Sequence, residues 1–235
     1  MMKTTSYDAI RLGDIHYLKQ MLVASSGEDG YTDLSQMKTH LINNNALHVA
    51  VQYNQEICVK EICERCPSLL LEQNFEGNTP LHIGARLALP IIVEVMLNCA
   101  REMVKQNEEE DVEKGLGNDS MPSCANNATE EEKEHSPLVS ITMLQQLVRM
   151  VNKKKDTALH EALQEYPSDV ARLLIAADPS YEYFANDAGE TPSYLATRNA
   201  QYDVVEMMAC PTSNAPDGRT ILHIAILYPT CPGKL

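Results

Sequence analysis

A short sequence pattern recurs along the chain, and its spacing limits the possible folds more than any other feature. The pattern joins a helix-capping residue to a Leu-His pair and a small residue, as in Thr79-Pro-Leu-His-Ile-Gly84. Similar segments begin at Asn45, Thr157 and Thr220, and a weaker one begins at Thr191. The first two copies start 34 residues apart, and the same step separates Thr157 from Thr191. A fixed period of this length indicates a stack of repeated supersecondary units.

Each copy of the pattern has the chemistry of a helix start. Thr79 is a good N-cap, because its hydroxyl accepts a hydrogen bond from a free amide of the first turn. Pro80 then stands at the first helical position, where a missing N–H costs little. His82 lies three residues after the cap and can bond back toward it. We therefore predict that the repeated histidines are structural rather than metal-binding or catalytic.

A second signature recurs in the same phase. Pro67 lies twelve residues before Thr79, and Pro179 lies twelve residues before Thr191. Two signatures with one period predict ankyrin repeats, whose unit is about 33 residues long and carries the pattern Thr-Pro-Leu-His-x-Ala. The predicted fold is all-α, an ankyrin-repeat solenoid of stacked helix-turn-helix units with short β-hairpin tips and one long acidic disordered insert.

Apolar residues with helical spacing predict a second helix in each unit. The predicted second helices span residues 57–66, 90–104, 169–177 and 202–209. Two further helices, at 7–12 and 15–23, resemble a capping repeat that lacks the motif.

An acidic segment interrupts the period, because Thr79 and Thr157 are 78 residues apart. Residues 107–136 contain ten acids and two lysines, and so supply −8 of the chain's net charge of −14. Low apolar content and high charge predict a disordered insert here, with order returning over 137–150. A degenerate extra repeat in this interval is the alternative, although no cap motif supports it.

The predicted domain division follows from the insert. Residues 1–106 hold an N-terminal partial or capping repeat and two repeats, and residues 107–136 form the insert. Residues 137–235 hold two repeats and a truncated last repeat.

Composition disfavours several other classes of protein. An acidic chain repels phosphate backbones, so we predict no nucleic-acid binding. No apolar run approaches the roughly 20 residues that cross a bilayer. Seven cysteines without a disulfide framework, and an N-terminus without an apolar signal core, predict reduced thiols and a cytoplasmic location.

Motifs for catalysis, cofactors and metals are weak or missing. Cys63-Glu-Arg-Cys66 has CxxC spacing, but a second ligand pair for zinc and a thioredoxin-like setting are both lacking. We interpret these cysteines as structural thiols near a helix end, with metal or redox chemistry as the alternative. Once the repeats are assigned, no stretch remains for a catalytic domain, which disfavours an ankyrin accessory part of an enzyme. We predict no enzymatic activity and no cofactor.

The predicted function is a non-enzymatic protein–protein interaction scaffold. Ankyrin tips and first-helix faces form a concave surface suited to partners. Phe75 is a large aromatic at a tip, where it either anchors a partner or packs on the adjacent tip. The candidate protein-binding residues share these positions: Asn74, Phe75, Glu76, Asn78, Arg86, Lys153, Lys154, Asn186, Asp187, Glu190 and Arg219.

Three stretches carry a family resemblance: residues 66–74, 149–162 and 177–191. Together with the acidic insert, they resemble the ankyrin part of the plant accelerated-cell-death family of ankyrin-repeat membrane proteins. The resemblance implies a cytosolic interaction platform in plant defence, salicylic-acid responses and cell-death signalling. It also implies a place at the cytosolic face of the plasma membrane, reached through partners.

The C-terminal end departs from that family. The last repeat has its cap and first helix, and no membrane domain follows. The expectation is a truncated chain whose last repeat leaves apolar surface around Leu222, Ile226 and Leu227. The alternative function is therefore a truncated regulator that oligomerises with membrane-anchored ankyrin relatives or associates with itself.

Overall fold

Short helices joined by tight turns make up the described part of the chain. The computed structural model describes residues 6–24, 38–39, 41–114, 142–164 and 169–208. The helices, in chain order, are α1 (Ser6–Leu12), α2 (Ile15–Ala24), α3 (Ala46–Gln52), α4 (Glu56–Arg65), a 3-10 helix (Pro67–Leu70), α5 (Pro80–Arg86), α6 (Pro90–Lys114), α7 (Met143–Arg149), α8 (Ala158–Ala162), α9 (Asp169–Ala177), α10 (Pro192–Arg198) and α11 (Tyr202–Met207).

Reciprocal caps start helices α3, α5 and α8. Before α5, the Thr79 side chain accepts from the His82 amide, and His82 Nδ1 accepts from the Thr79 amide at 3.2 Å. The same exchange links Thr157 to His160 before α8. Asn45 caps α3 in the same way. Because a reciprocal cap satisfies two backbone amides at each of these starts, helices this short are stable once they are packed.

Two layers of helices stack along the chain. The first layer contains α1, α3, α5, α8 and α10, each packed against the next, and the second contains α2, α4, α6, α9 and α11. Leu81 of α5 and Leu159 of α8 are fully buried, although 78 residues of sequence separate them. The repeats before and after the long interruption therefore belong to one continuous stack.

The boundary of the acidic segment differs from the prediction. Helix α6 continues to Lys114 and so takes in the first eight residues of the predicted insert. Residues 115–136 lie outside the described residues, as do 137–141. Within 142–164, α7 occupies the place before a tip that the 3-10 helix holds one unit earlier, and it buries Leu147 and Val148 as the 3-10 helix buries Leu69 and Leu70.

The tips are tight turns rather than strand pairs. Asn74 N donates to Asn78 O at 3.0 Å, which closes one tip across four residues. Across the described tips, β pairing is limited to one isolated antiparallel bridge between Val151 and Thr157. The predicted hairpins are thus present as turns with very little sheet.

Candidate binding surface

An asparagine side chain builds each of three tips. Asn74 Oδ1 accepts from the amides of Glu76 and Asn78 at 2.9 and 3.0 Å. Asn152 and Asn186 make the same pair of bonds in the next two tips. An amide oxygen bonded to two backbone donors replaces the partners that a strand would supply, so each turn keeps one shape.

Backbone bonds join each tip to the next, which fixes the spacing of the side chains on this edge. The tip that begins with Lys153 follows the acidic insert, and yet it is bonded to its neighbour like the others. The amide donors and carbonyl acceptors are Phe75 to Ile42 (2.9 Å), Lys153 to Glu76 (3.0 Å) and Asp187 to Lys154 (2.9 Å).

The repeated histidines also bridge neighbouring units. His82 Nε2 donates to the carbonyl of Asp156 at 3.0 Å, while its Nδ1 accepts from the Thr79 amide. His48 and His160 make equivalent bridges to the carbonyls of Asn78 (2.8 Å) and Glu190 (3.2 Å). These three imidazoles are thus fully used in the fold, as the sequence predicted.

Burial controls the protonation of these imidazoles. It lowers the pKa of both His48 and His82 to about 4, although backbone carbonyls partly offset the effect. Burial lowers the pKa of His160 as well. Neutral imidazoles are needed here, because each Nδ1 must keep a lone pair to accept the cap amide.

Two predicted contact residues are buried and carry structural bonds. Asn74 is 6% exposed, and its Nδ2 donates to Asn44 Oδ1 at 2.8 Å. Asn78 is 2% exposed, and its Oδ1 accepts from Asn152 Nδ2 at 3.0 Å. Both side chains therefore hold tips together, which corrects their assignment as partner contacts. Asn186 extends the same ladder to Asp156 at 2.7 Å.

The remaining candidates differ in how they present to solvent. Glu76, Arg86, Lys153, Lys154 and Asp187 are exposed, and Phe75 is 56% exposed rather than packed away. Glu190 and Asn186 are half-buried, with Glu190 paired to Arg198. Arg219 lies outside the described residues, as do Leu222, Ile226 and Leu227.

We call the exposed residues Phe75, Glu76, Lys153, Lys154 and Asp187 the tip row. Its charges are unevenly paired, since Lys155 binds Asp187 at 2.8 Å. Across the described residues, no ion pair involves Lys153 or Lys154. The tip row therefore offers an aromatic ring beside two lysines that are in no ion pair within the described part of the chain.

Sequence reasoning missed the apolar end of this edge. Leu41 and Ile42 form the tip that precedes the Phe75 tip in the stack, and they are 89% and 40% exposed. They line a groove of about 350 Å³ together with Tyr7 and Tyr53. This turn lacks the Gly-containing tip motif. One sequence signal could have identified this turn as a tip: it precedes the cap at Asn45, as the other tips precede their own caps.

Gly77 gives one prediction about this edge. Its φ is 78°, and an added Cβ would lie 2.7 Å from the backbone nitrogen of Lys153 in the next tip. Gly77→Ala is expected to lower the free energy of unfolding by about 2 kcal/mol, because left-handed strain adds to a backbone collision. Urea unfolding followed by circular dichroism measures this change.

Gly13→Ala is the matched control for Gly77→Ala. Gly13 has a φ of 75°, but its added Cβ would meet only the Gln55 side chain, which can turn away by giving up its exposed bond to Arg11 O. The expected cost is about 1 kcal/mol, mainly from backbone strain. Equal losses in the two variants would show that neighbouring tips do not approach each other at Gly77.

Within the described ranges, no group of His, Cys, Asp and Glu side chains is arranged to hold a metal ion. None of the helices in these ranges combines the length and apolar character needed to cross a bilayer.

Solved structures show which fold this arrangement belongs to. The ankyrin repeat domain of Bcl-3, described as a unique member of the IkappaB protein family, superposes with a TM-score of 0.64 at 15% identity, over 95% of this chain and 79% of that one. The ankyrin repeat protein EF0377 superposes with a TM-score of 0.61 at 17% identity, over 97% of this chain and 93% of that one. The fold is an ankyrin-repeat array.

Sequence comparison adds one distant relative to this ankyrin fold. The chain is 24% identical over 165 residues to the protein ACCELERATED CELL DEATH 6 of Arabidopsis thaliana. The match covers 70% of this chain and 20% of the relative, so the chain spans about a fifth of that protein's length. No family model matches the sequence. These comparisons indicate no catalytic family.

Proposed function

We propose that this ankyrin array is a non-enzymatic module that binds a protein partner along the tip row and the adjoining first-helix face. The observation that carries the proposal is the chain of backbone bonds from tip to tip, which holds Phe75, Lys153 and Lys154 at fixed spacing. A surface that is already ordered loses little conformational entropy when it binds. Rigid tips therefore favour recognition over a purely structural role.

The side chains on the tip row indicate the chemistry of the partner. Phe75 provides an exposed ring of the kind that forms the centre of protein interfaces. Lys153 and Lys154 favour carboxylates, because neither lysine is in an ion pair among the described residues. The proposed partner surface pairs an apolar pocket with neighbouring acidic residues.

Variants on opposite sides of the array test this proposal. Phe75→Ala and the double variant Lys153→Glu/Lys154→Glu alter the tip row, whereas Ile91→Ala removes an equally exposed apolar side chain (60%) from α6. Each purified chain is immobilised and incubated with plant extract, and the bound proteins are quantified by mass spectrometry. The melting temperatures of the variants confirm that they are folded.

The proposal predicts a protein that the wild type and Ile91→Ala retain equally. Its retention falls about tenfold with each tip-row variant, as expected when one central contact is removed. If every bound protein is retained equally by all four chains, the tip row does not bind a partner.

We propose a role in plant defence or cell-death signalling, which rests on the resemblance to the accelerated-cell-death relative. The proposed location is cytoplasmic, with recruitment to the cytosolic face of the plasma membrane through partners. The proposed division keeps repeats on both sides of the insert, whose start moves from 107 to 115 because α6 runs to Lys114. Plants that carry tip-row variants of this chain are expected to show an altered defence response, which would support this role. An unaltered response in these plants would contradict it.

The same similarity favours a second candidate, a regulator that assembles with longer ankyrin relatives. The chain aligns with 165 residues of that relative, and in this candidate function the common segment pairs with its counterpart in the longer protein. Co-purification of the tagged chain with such a relative tests this function. Its absence when both proteins are co-expressed would exclude the function.

A further inference from the structure

Two cysteines meet between the second-layer helices of neighbouring repeats. Cys63 lies on α4 and is 1% exposed, whereas Cys99 lies on α6 and is half-buried. Cys99 Sγ donates to the Cys63 carbonyl oxygen at 3.1 Å, across 36 residues of sequence. This contact joins adjacent repeats on the face opposite the tip row.

The surroundings give the two thiols different properties. Both line one groove of about 330 Å³ between α4 and α6, and Lys60 lies in its wall with Glu64 and Glu102. The neighbouring Cys63 side chain lowers the pKa of Cys99, although burial and the two glutamates oppose this shift. The Cys99 side chain, together with burial, raises the pKa of Cys63. Cys99 is therefore the better nucleophile and the more accessible one.

We propose that Cys63 and Cys99 form a dithiol site that a small hydroperoxide oxidises to an inter-repeat disulfide. An accessible thiol beside a second thiol that can resolve its oxidised form is the arrangement found in redox-sensing sites. Cys66 is the competing partner, because it completes the CxxC spacing with Cys63. Cys66, however, caps the end of α4, whereas Cys99 faces Cys63 across the helix contact.

The reaction has two balanced steps. The Cys99 thiolate attacks one peroxide oxygen, the O–O bond breaks, and the leaving oxygen takes a proton, so that Cys99 becomes a sulfenic acid. The Cys63 sulfur then attacks the Cys99 sulfur, the S–O bond breaks, and water leaves with the Cys63 proton. In sum, two thiols lose two electrons to the hydroperoxide, which ends as an alcohol or water.

The sequence allows the linkage to be read without ambiguity. Trypsin cleaves after Lys60, Arg65, Arg86 and Arg101, so Cys63, Cys66 and Cys99 fall in the separate peptides 61–65, 66–86 and 87–101. The folded chain is treated with a slight excess of hydrogen peroxide, its remaining thiols are blocked, and it is digested without reductant. The expected product joins peptides 61–65 and 87–101, and dithiothreitol separates them.

Single variants assign the two roles. Cys99→Ser is expected to abolish the cross-link and leave Cys63 reduced. Cys63→Ser is expected to leave a sulfenic acid on Cys99, which dimedone traps, and Cys63→Ala repeats the test if a buried hydroxyl destabilises the fold. Cys66→Ser is the matched control and is expected to keep the cross-link. Circular dichroism confirms that each variant is folded.

Two further outcomes would overturn the proposal. One is a cross-link that contains peptide 66–86, which would assign the chemistry to the CxxC pair instead. The other is a Cys99 that stays reduced while cysteines elsewhere in the chain are oxidised. The melting temperature is a second readout. It is expected to rise when the wild type is oxidised, because the disulfide joins α4 to α6. Cys99→Ser is expected to show no rise.

Discussion

Replacing His82 by alanine is expected to lower the free energy of unfolding by about 3 kcal/mol, through lost buried hydrogen bonds and the cavity that remains. The His82 side chain is 1% exposed and bonds to both Asp156 O and the Thr79 amide. The variant leaves both groups without that partner inside the stack. Total stability of a domain is commonly about 5–15 kcal/mol, so the loss is large. Urea unfolding at pH 7.5 measures it.

His16→Ala is the control for that experiment. His16 is exposed on α2, and its ring bonds to Gln20 of the same helix at 3.1 Å. Its replacement is expected to change the free energy of unfolding by no more than about 0.5 kcal/mol. If His82→Ala cost as little as His16→Ala, the bridge between α5 and the next tip would not contribute to stability.

Acidification is expected to destabilise the array between pH 6.5 and pH 4. The pKa of both His48 and His82 lies near 4 in the folded chain, against 6.5 for an ordinary histidine. The unfolded chain therefore binds more protons in this range. The stabilisation is complete above pH 6.5 and is lost as the pH falls, by up to about 3 kcal/mol for each histidine.

Two other buried groups modify this dependence. The pKa of His160 is lowered by burial, so His160 adds to the loss of stability in acid. The pKa of Glu161 is raised by burial, so the folded chain holds its proton more tightly and Glu161 acts in the opposite direction. Three histidines oppose this one carboxyl, and we expect these four groups together to give a slope that is positive with pH.

Urea unfolding at a series of pH values from 7.5 to 4.5 measures the slope. Its value gives the number of protons that the chain takes up on unfolding. His82→Ala is expected to reduce that uptake by about one proton near pH 5. A free energy of unfolding that stays constant from pH 7 to pH 5 would show that these imidazoles are not buried in the neutral form.

Local patterns predicted the fold because ankyrin units are defined by local chemistry. The cap residue and the histidine three positions later lie within one helical turn, so the sequence alone indicated the start of α5 and of α8. The bounds of α9, Asp169–Ala177, match the prediction. A Pro-Ser pair precedes this helix, and Asp178-Pro-Ser follows it. Both ends could be predicted, because proline is typical of helix boundaries.

The predicted end of α6 was wrong, and the reason is physical. The prediction gave weight to the charge of residues 107–114, whereas Glu and Lys are good helix formers. Net charge disfavours a packed core but does not by itself end a helix. The same residues therefore extend α6 to Lys114.

The binding surface was only partly predictable. Asn74 and Asn78 stand at tips, and a local pattern does not show that their side chains are used across the stack. Those bonds join residues that are 30 and 74 positions apart in the chain. One signal was present, because an Asn lies five residues before the cap at 74, 152 and 186. Such a repeated polar residue indicates a structural bond, whereas the position of Phe75 is not repeated in kind, since Lys153 and Asp187 stand there in the next two tips.

Amide hydrogen exchange at Lys153 tests whether the helix pairs stack in register across the acidic interruption. Its amide donates to Glu76 O at 3.0 Å only if the repeats on the two sides of the insert are docked. We expect Lys153 to exchange as slowly as Phe75 and Asp187, the equivalent amides of the neighbouring tips, when followed by NMR in heavy water. Exchange of Lys153 at the rate of an unstructured peptide, with Phe75 still protected, would show that the stack breaks at the insert.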